Sequence, residues 1–516
     1  MTSDLPAHPR RFSLFAPWSN RILLLALAGI LFLTLFPFHF ELPGKILATS
    51  SALRLGGEGR KSGPLDALLN VLLFMPFGFG QAEKLRDRRW GRISAFIAIW
   101  IAGSLLSYSV EFLQLYIPAR DSGWMDVFTN GTGAVAGFLL FELIGQPLVA
   151  IVASAESALR NSLTIRRAAF VLPIYFALWF ALSSSLQKQT RLTNWDPQSQ
   201  LLIGNDAAEP APQGWEGTVS RVDLWSRAIP GDFAQALTAG QAKPGAQSSL
   251  LASYDFLSQA PLQDQLKFLP DLFWTPRLPQ VGMRHGAVLD GQSWLASQAP
   301  VPNLVAALQR TNQFSIEFAC TPAETAGTDA RIISISNPRR PFDLDIRQED
   351  SNLVFWFRTP LTVGDARLPW EIPGVFAAGQ PRDILFTYDG SDGSLYVNGT
   401  KNPGAYELGP GAAFAKSIRS VKSAELEGYK YIYDALIFLP AGALFGIAIW
   451  PFGARAIPAF PALILAIEFV IPPWLLDRIL SRVSGRQACV ESILLCLILV
   501  AAGTLWMNAD VSSQVR

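Results

Sequence analysis

The stretch Glu111–Gly137, EFLQLYIPARDSGWMDVFTNGTGAVAG, lies in an apolar region yet carries Glu111, Gln114, Arg120, Asp126 and Asn130. Bilayer hydrocarbon offers such groups no water, so each must find a partner inside the protein. Helical spacing sorts them. Glu111, Gln114 and Pro118 follow i, i+3, i+7 and share one face, while Asp126, Asn130, Gly133 and Gly137 follow i, i+4, i+7, i+11 and share another. In an earlier apolar segment Asp66 and Asn70 stand at i, i+4. Gly133 and Gly137 form a GxxxG pair, which lets one helix approach another closely. The pattern predicts three helices whose polar stripes face one another, with Arg120 at the turn between two of them.

Composition agrees with a membrane setting. Of 516 residues, 50% are hydrophobic and 16% charged, with a mean hydropathy of +0.26. A net charge of +1 leaves no basic surplus for phosphate neutralisation, which argues against nucleic acid as a partner. Three cysteines and three scattered histidines supply neither a disulfide framework nor a metal site, so no metal ligands are assigned.

Eight apolar segments are candidate spans. The first begins at Arg21, followed by Leu65–Gly80, about Ile93–Ile117, about Met125–Ile144 and about Ala168–Leu182. Three more follow residue 430: Tyr431–Trp450, Ile457–Leu475 and Cys489–Met507. Short basic loops, EKLRDRRWGR among them, favour the cytoplasm, so alternation puts the polar region between spans five and six outside. The expected location is a bacterial inner membrane, with multiple passes.

The order N-V-L-L-F-M-P-F-G (Asn70–Gly78), E-F-L-Q (Glu111–Gln114), P-x-R (Pro118–Arg120) and D-x-x-x-N-x-x-G-x-x-x-G (Asp126–Gly137) resembles the VanZ-like family. That family takes its name from a membrane protein linked to low-level teicoplanin resistance. The resemblance covers about residues 20–145 and implies a cell-envelope role without implying a reaction. Two readings of the polar residues Asp66, Asn70, Glu111, Gln114, Arg120, Asp126 and Asn130 stay open. One is structural, with Arg120 paired to Asp126 or Glu111 and the amides bridging helices. The other is a site for a lipid head group or glycan moiety. Asp434–Gly442, DALIFLPAG, aligns without gaps on Asn70–Gly78, so the last three spans read as a degenerate copy of spans two to four.

From Phe314 onward the period changes to that of strands: FSIEFACTP, ARIISIS, FDLDIRQ, NLVFWFR and DILFTYD. Asn398-Gly399 predicts a two-residue hairpin turn. Many short strands must bury one face against a second sheet, which predicts an antiparallel sandwich. The strand series resembles a concanavalin A/laminin G-like jelly roll from about Tyr254 to Leu426. Its closing strands are matched upstream by Leu201–Asn205 and Trp215–Pro230, as in a permuted domain. Such domains often bind carbohydrate, sometimes with calcium. The resemblance therefore offers Trp274, Trp294, Trp356 and Trp370 as stacking platforms and Asp389, Asp392 and Asn398 as loop ligands. Ordinary turn and core roles explain the same residues.

The expected organisation is a VanZ-like bundle (1–150), a connector and fifth span (151–190), a β-sandwich (191–428) and three C-terminal spans (429–516). The leading functional expectation is recognition of an envelope glycan or glycolipid, with membrane lipids and polysaccharide-assembly proteins as further partners. The rivals are a membrane enzyme on a lipid-linked precursor, using Glu111, Arg120 and Asp126, and a non-catalytic assembly scaffold.

Overall fold

The computed structural model describes residues 16–35, 64–114, 116, 124–207, 214–276, 286–325, 328–363, 368–418, 421, 426–449, 498 and 501. Helices α1 (Ala16–Leu35), α2 (Pro64–Asp87), α3 (Arg92–Gln114) and α4 (Trp124–Leu140) open the chain. A π-helical turn (Phe141–Gly145) leads into α5 (Gln146–Ser162), and α6 (Ile165–Gln187) follows. The described residues divide into two compact units, and the first contains α1–α5. Its apolar core joins Ile30 of α1, Phe74 and Phe77 of α2, Ile99 and Val110 of α3, and Ala134 and Phe138 of α4. The opposite faces expose Leu24, Leu72, Trp100, Leu105 and Phe128, as lipid-facing helices do.

Among the described residues four helices are long and apolar enough to cross a membrane: Arg92–Gln114, Trp124–Ser162, Arg166–Thr190 and Gly428–Ala448. They account for part of the eight expected spans. Ser19–Leu35 is a shorter apolar helix. The segment expected to be the second span, Leu65–Gly80, lies within α2. The fourth expected span does not stop near residue 144. It continues through the π-turn as a 39-residue helix. Pro147 falls in the first turn of α5, where a missing N–H does not interrupt the helix. At 1.5 Å per residue that helix reaches about 58 Å, well beyond a hydrocarbon core of about 30 Å. The last two expected spans, with Arg486 and Glu491, lie outside the described residues, as does Arg120.

The strands fall between α6 and α10 (Leu426–Ile449) in chain order. They are β1 (Gln200–Ile203), β2 (Glu216–Trp225), β3 (Leu250–Asp255), β4 (Leu272–Thr275), β5 (Ala287–Asp290), β6 (Trp294–Ser297), β7 (Phe314–Pro322) and β8 (Asp329–Asn337). The remainder are β9 (Arg340–Glu349), β10 (Asn352–Phe357), β11 (Trp370–Ile372), β12 (Arg382–Tyr388), β13 (Asp392–Val397), β14 (Thr400–Lys401) and β15 (Tyr406–Glu407). Three short helices accompany them: α7 (Gly231–Thr238), α8 (Pro302–Thr311) and α9 (Pro410–Ile418). One sheet runs β11-β10-β9-β8-β1-β6-β4. The other runs β14-β13-β12-β7-β2-β3, with β5 beside β2 and β15 beside β13. The early strands β1 and β2 thus lie in the middle of the two sheets rather than at their edges.

Aromatic rings fill the space between the sheets. Phe355 stacks on Phe386 at 3.8 Å, Phe314 meets Phe357 edge-on at 5.3 Å, and Trp370 stacks on Tyr406 at 5.7 Å. Asn398 and Gly399 both take positive φ (46° and 80°), the geometry of the predicted hairpin turn.

Within the second unit the sandwich is bonded directly to the helix that precedes it. The Tyr388 hydroxyl donates to the Thr190 carbonyl at 2.8 Å, and Thr190 Oγ1 donates to the Gly390 carbonyl at 2.9 Å. Gln187 Nε2 donates to the same carbonyl at 3.1 Å. The C-terminal half of α6 packs on the N-terminal half of α10, where Ser183 and Tyr433 share a hydrogen bond of 2.8 Å. Tyr175 donates to the Ile437 carbonyl at 2.8 Å.

In the first unit α2 packs most extensively on α4. A Cβ on Gly133 would collide with the Val71 carbonyl, one on Gly137 with the Met75 carbonyl, and one on Gly78 with the Ala134 carbonyl. Gly137→Val should therefore lower bundle stability by about 1–3 kcal/mol, the usual range for overpacking. Gly29→Ala should be neutral, because nothing lies within 4 Å of the added carbon. Thermal unfolding of the detergent-purified full chain checks both.

Candidate functional site

The polar residues of the bundle are brought together as three interhelical links. Asn70 Nδ2 on α2 donates to Asp126 Oδ1 on α4 at 2.8 Å, with Thr129 Oγ1 beside it at 3.4 Å. Asn130 Nδ2 on α4 donates to Ser107 Oγ on α3 at 2.8 Å, and both residues are buried. Gln114 Nε2 at the end of α3 donates to the Thr34 carbonyl of α1 at 2.8 Å. The stripes thus stitch successive helix pairs. Glu111 is half-buried on α3 and interacts with its surroundings. Asp66 belongs to α2, but its side chain lies outside what is described, and Arg120 lies outside the described residues altogether.

Gly133 and Gly137 make the first link possible by letting the α4 backbone approach that of α2. Sequence reasoning missed Ser107 and Thr129, because single hydroxyls do not stand out in apolar helices, and Thr34, whose part in its link is a backbone carbonyl that no side-chain pattern marks. It also missed Gly103, where a Cβ would come within 2.6 Å of the Ala134 methyl.

The second cluster lies on one sheet of the sandwich. Arg221 of β2 faces three carboxylates, Asp223 of the same strand, Glu317 of β7 and Asp383 of β12. Arg221 Nε lies 3.1 Å from Asp223 and 3.0 Å from Glu317, and Nη2 lies 3.2 Å from Asp383. Asp223 and Glu317 are fully buried, whereas Asp383 keeps 22% of its surface. One guanidinium cannot balance three buried anions. Burial, reinforced by Glu317, pushes Asp223 up to about 8. Burial and the hydrogen bond with Glu317 push Asp383 up to about 9. Burial is the largest single influence on Glu317 and opposes its ionisation, but the hydrogen bonds with Arg221, Asp383 and Asp223 and the Arg221 charge together outweigh it and hold that carboxyl below its ordinary value. Asp223 and Asp383 are thus pushed towards the protonated acid, while Glu317 is held towards the carboxylate that pairs with Arg221. These four residues sit at outward positions of three adjacent strands, where pattern reading assigns solvent exposure.

Asp383 also walls a cavity of about 370 Å³ together with Ser220, Thr321, Arg382, Asn398 and the edges of Ala319, Cys320 and Pro381. Arg382 is fixed by donating to the Val375 carbonyl at 2.6 Å. Asn398 is anchored to β12, accepting from the Asp383 N–H at 2.8 Å. The cavity offers hydroxyl, amide, carboxylic acid and guanidinium groups, the polar partners that a polyol ligand uses.

The other predicted glycan contacts are dispersed. Trp356 and Trp370 are buried, the latter within the aromatic core. Trp274 and Trp294 are half-buried on the neighbouring strands β4 and β6. Asp389 Oδ1 accepts the N–H groups of Ser391 and Asp392 at 3.0 and 2.8 Å, closing the turn between β12 and β13. Among the described residues no group of three or more His, Cys, Asp or Glu is placed to hold a metal ion.

A family model described as VanZ/LLP1 matches residues 14–145, the segment that holds all three interhelical links. No curated protein and no solved structure matches the chain. The chain is thus a membrane protein with a VanZ-like N-terminal segment and a separate sheet-rich region.

The buried acids set a pH dependence. Asp223 and Asp383 bind protons more tightly when folded than when unfolded, so folding stability falls as pH rises from about 4 through the 8–9 range. Glu317 acts in the opposite sense at acid pH, because its folded value is depressed. A melting temperature that declines between pH 6 and pH 9.5 is expected, and Asp383→Asn should flatten the decline.

Proposed function

We propose that the protein is a multi-pass component of the bacterial cell envelope that recognises a glycan or glycolipid through its sandwich. The observation that carries this reading is the cavity of about 370 Å³ walled by Asp383, Asn398, Arg382, Ser220 and Thr321. Sugars present closely spaced hydroxyls, and this wall combines donors and acceptors with a carboxyl kept neutral near pH 7 by burial. The direct bonding of Tyr388 and Gly390 to the end of α6 supports a recognition module held close to the membrane. By the charge of the short loops, the sandwich lies on the extracytoplasmic side of the inner membrane.

The bundle supports the role of anchor. Asn70, Asn130 and Gln114 all have partners on other helices, which favours a scaffold over an enzyme as the second reading. A membrane enzyme acting on a lipid-linked precursor would depend on the charge of Asp126. Asp126→Asn retains an acceptor for Asn70 and so isolates the charge from the packing.

Binding of the purified full chain to arrayed envelope glycans tests the proposal. The wild-type protein should retain a defined subset, with no requirement for calcium, and Thr321→Arg should abolish retention while leaving the melting temperature within about 2 °C. Absence of retention across bacterial capsule, lipopolysaccharide and peptidoglycan fragments would contradict it.

A further inference from the structure

The other end of the three-helix contact has its own cavity. It encloses about 390 Å³ where the end of α2, the start of α3 and the π-turn after α4 meet. Asn70 and Arg86 are separated along α2 by about 24 Å, at 1.5 Å per residue, so this cavity and the Asn70–Asp126 link lie near opposite ends of the helix. The intervening loop is strongly basic. Lys84, Arg86, Arg88, Arg89 and Arg92 face a single acid, Asp87, between positions 84 and 92.

The π-turn builds the floor. Gly145 lacks the Cβ that would strike the Phe141 ring, and that ring lies 5.9 Å below the Arg86 guanidinium. Gln146 accepts from Arg86 Nη1 at 3.0 Å with its amide oriented to suit the guanidinium. Across the cavity Arg92 Nε meets Glu142 at 3.0 Å, with the arginine 86% exposed. So exposed a pair is weak, weak enough for another anion to replace Glu142. Trp90, 48% exposed, stands on the rim. A half-exposed indole beside arginines at the end of a spanning helix is the arrangement found at the level of lipid head groups.

We propose that this cavity binds the phosphate of an anionic phospholipid, with Arg86 and Arg92 as the phosphate ligands, Trp90 against the glycerol region, and Glu142 as an internal competitor for Arg92. This rests on α3 and the Trp124–Ser162 helix crossing a membrane and is independent of glycan recognition by the sandwich. The competitor gives the proposal its distinguishing sign: removing a negative charge from the pocket should tighten binding.

Titration of the detergent-purified full chain with short-chain phosphatidylglycerol, short-chain phosphatidylcholine and sodium phosphate, read by native mass spectrometry and thermal shift, tests it. Phosphatidylglycerol should bind in preference to phosphatidylcholine. Arg86→Ala and Arg92→Ala should each weaken that binding roughly fivefold, and Glu142→Gln should strengthen it. Arg88→Ala/Arg89→Ala, outside the cavity, should have a smaller effect than either pocket variant. Equal loss in the Arg88/Arg89 variant would show diffuse attraction and overturn the pocket. So would equal binding of the two lipids, or weaker binding by Glu142→Gln. A response to sodium phosphate alone, with none to the lipid, would overturn the lipid assignment.

Discussion

Backbone contact between α2 and α4 is the constraint on which the bundle depends. Gly133 and Gly137 bring their helix against the Val71 and Met75 carbonyls, and Gly78 returns the contact against Ala134. Only at that separation can Asn70 reach Asp126. In hydrocarbon an unpaired amide or carboxylate has no solvent to fall back on, so close approach and polar pairing support each other. The Asn130–Ser107 and Gln114–Thr34 bonds extend the scheme to α3 and α1, giving the α2–α4, α3–α4 and α1–α3 interfaces a directional bond within otherwise non-specific apolar contacts.

The sandwich meets a similar problem in a different way. There the charges are buried within a β-sandwich, and a push of two acids towards protonation offsets the excess. Arg221 balances one carboxylate, while Asp223 and Asp383 are pushed towards the neutral acid. The α6–Thr190 connection then links that cluster, through β12 and Tyr388, to the spanning helix by hydrogen bonds rather than through a free linker.

How much of this was legible in the sequence depended on whether partners lie close along the chain. The α4 stripe could be read because Asp126, Asn130, Gly133 and Gly137 repeat on one helix face. The Asn398-Gly399 turn could be read because its geometry is local. The acid cluster could not, since Arg221, Glu317 and Asp383 come from three strands that meet only in the folded sheet. Each also occupies an outward position that alternation assigns to water. The helical continuation through α5 was hidden by Gly145, Gln146 and Pro147, which look like a boundary. In the structure the glycine accommodates the Phe141 ring, and the proline sits where a helix tolerates it.

The central claim is that the polar stripe works as interhelical bonding between α2 and α4. A double-mutant cycle on Asn70→Leu and Asp126→Leu, measured by reversible unfolding of the full chain in detergent, tests it most directly. The hydrogen bond between them predicts a coupling of about 0.6–2 kcal/mol, with the double variant less destabilised than the sum of the singles. Strict additivity would contradict the account, because it would mean that the two side chains stabilise the bundle independently.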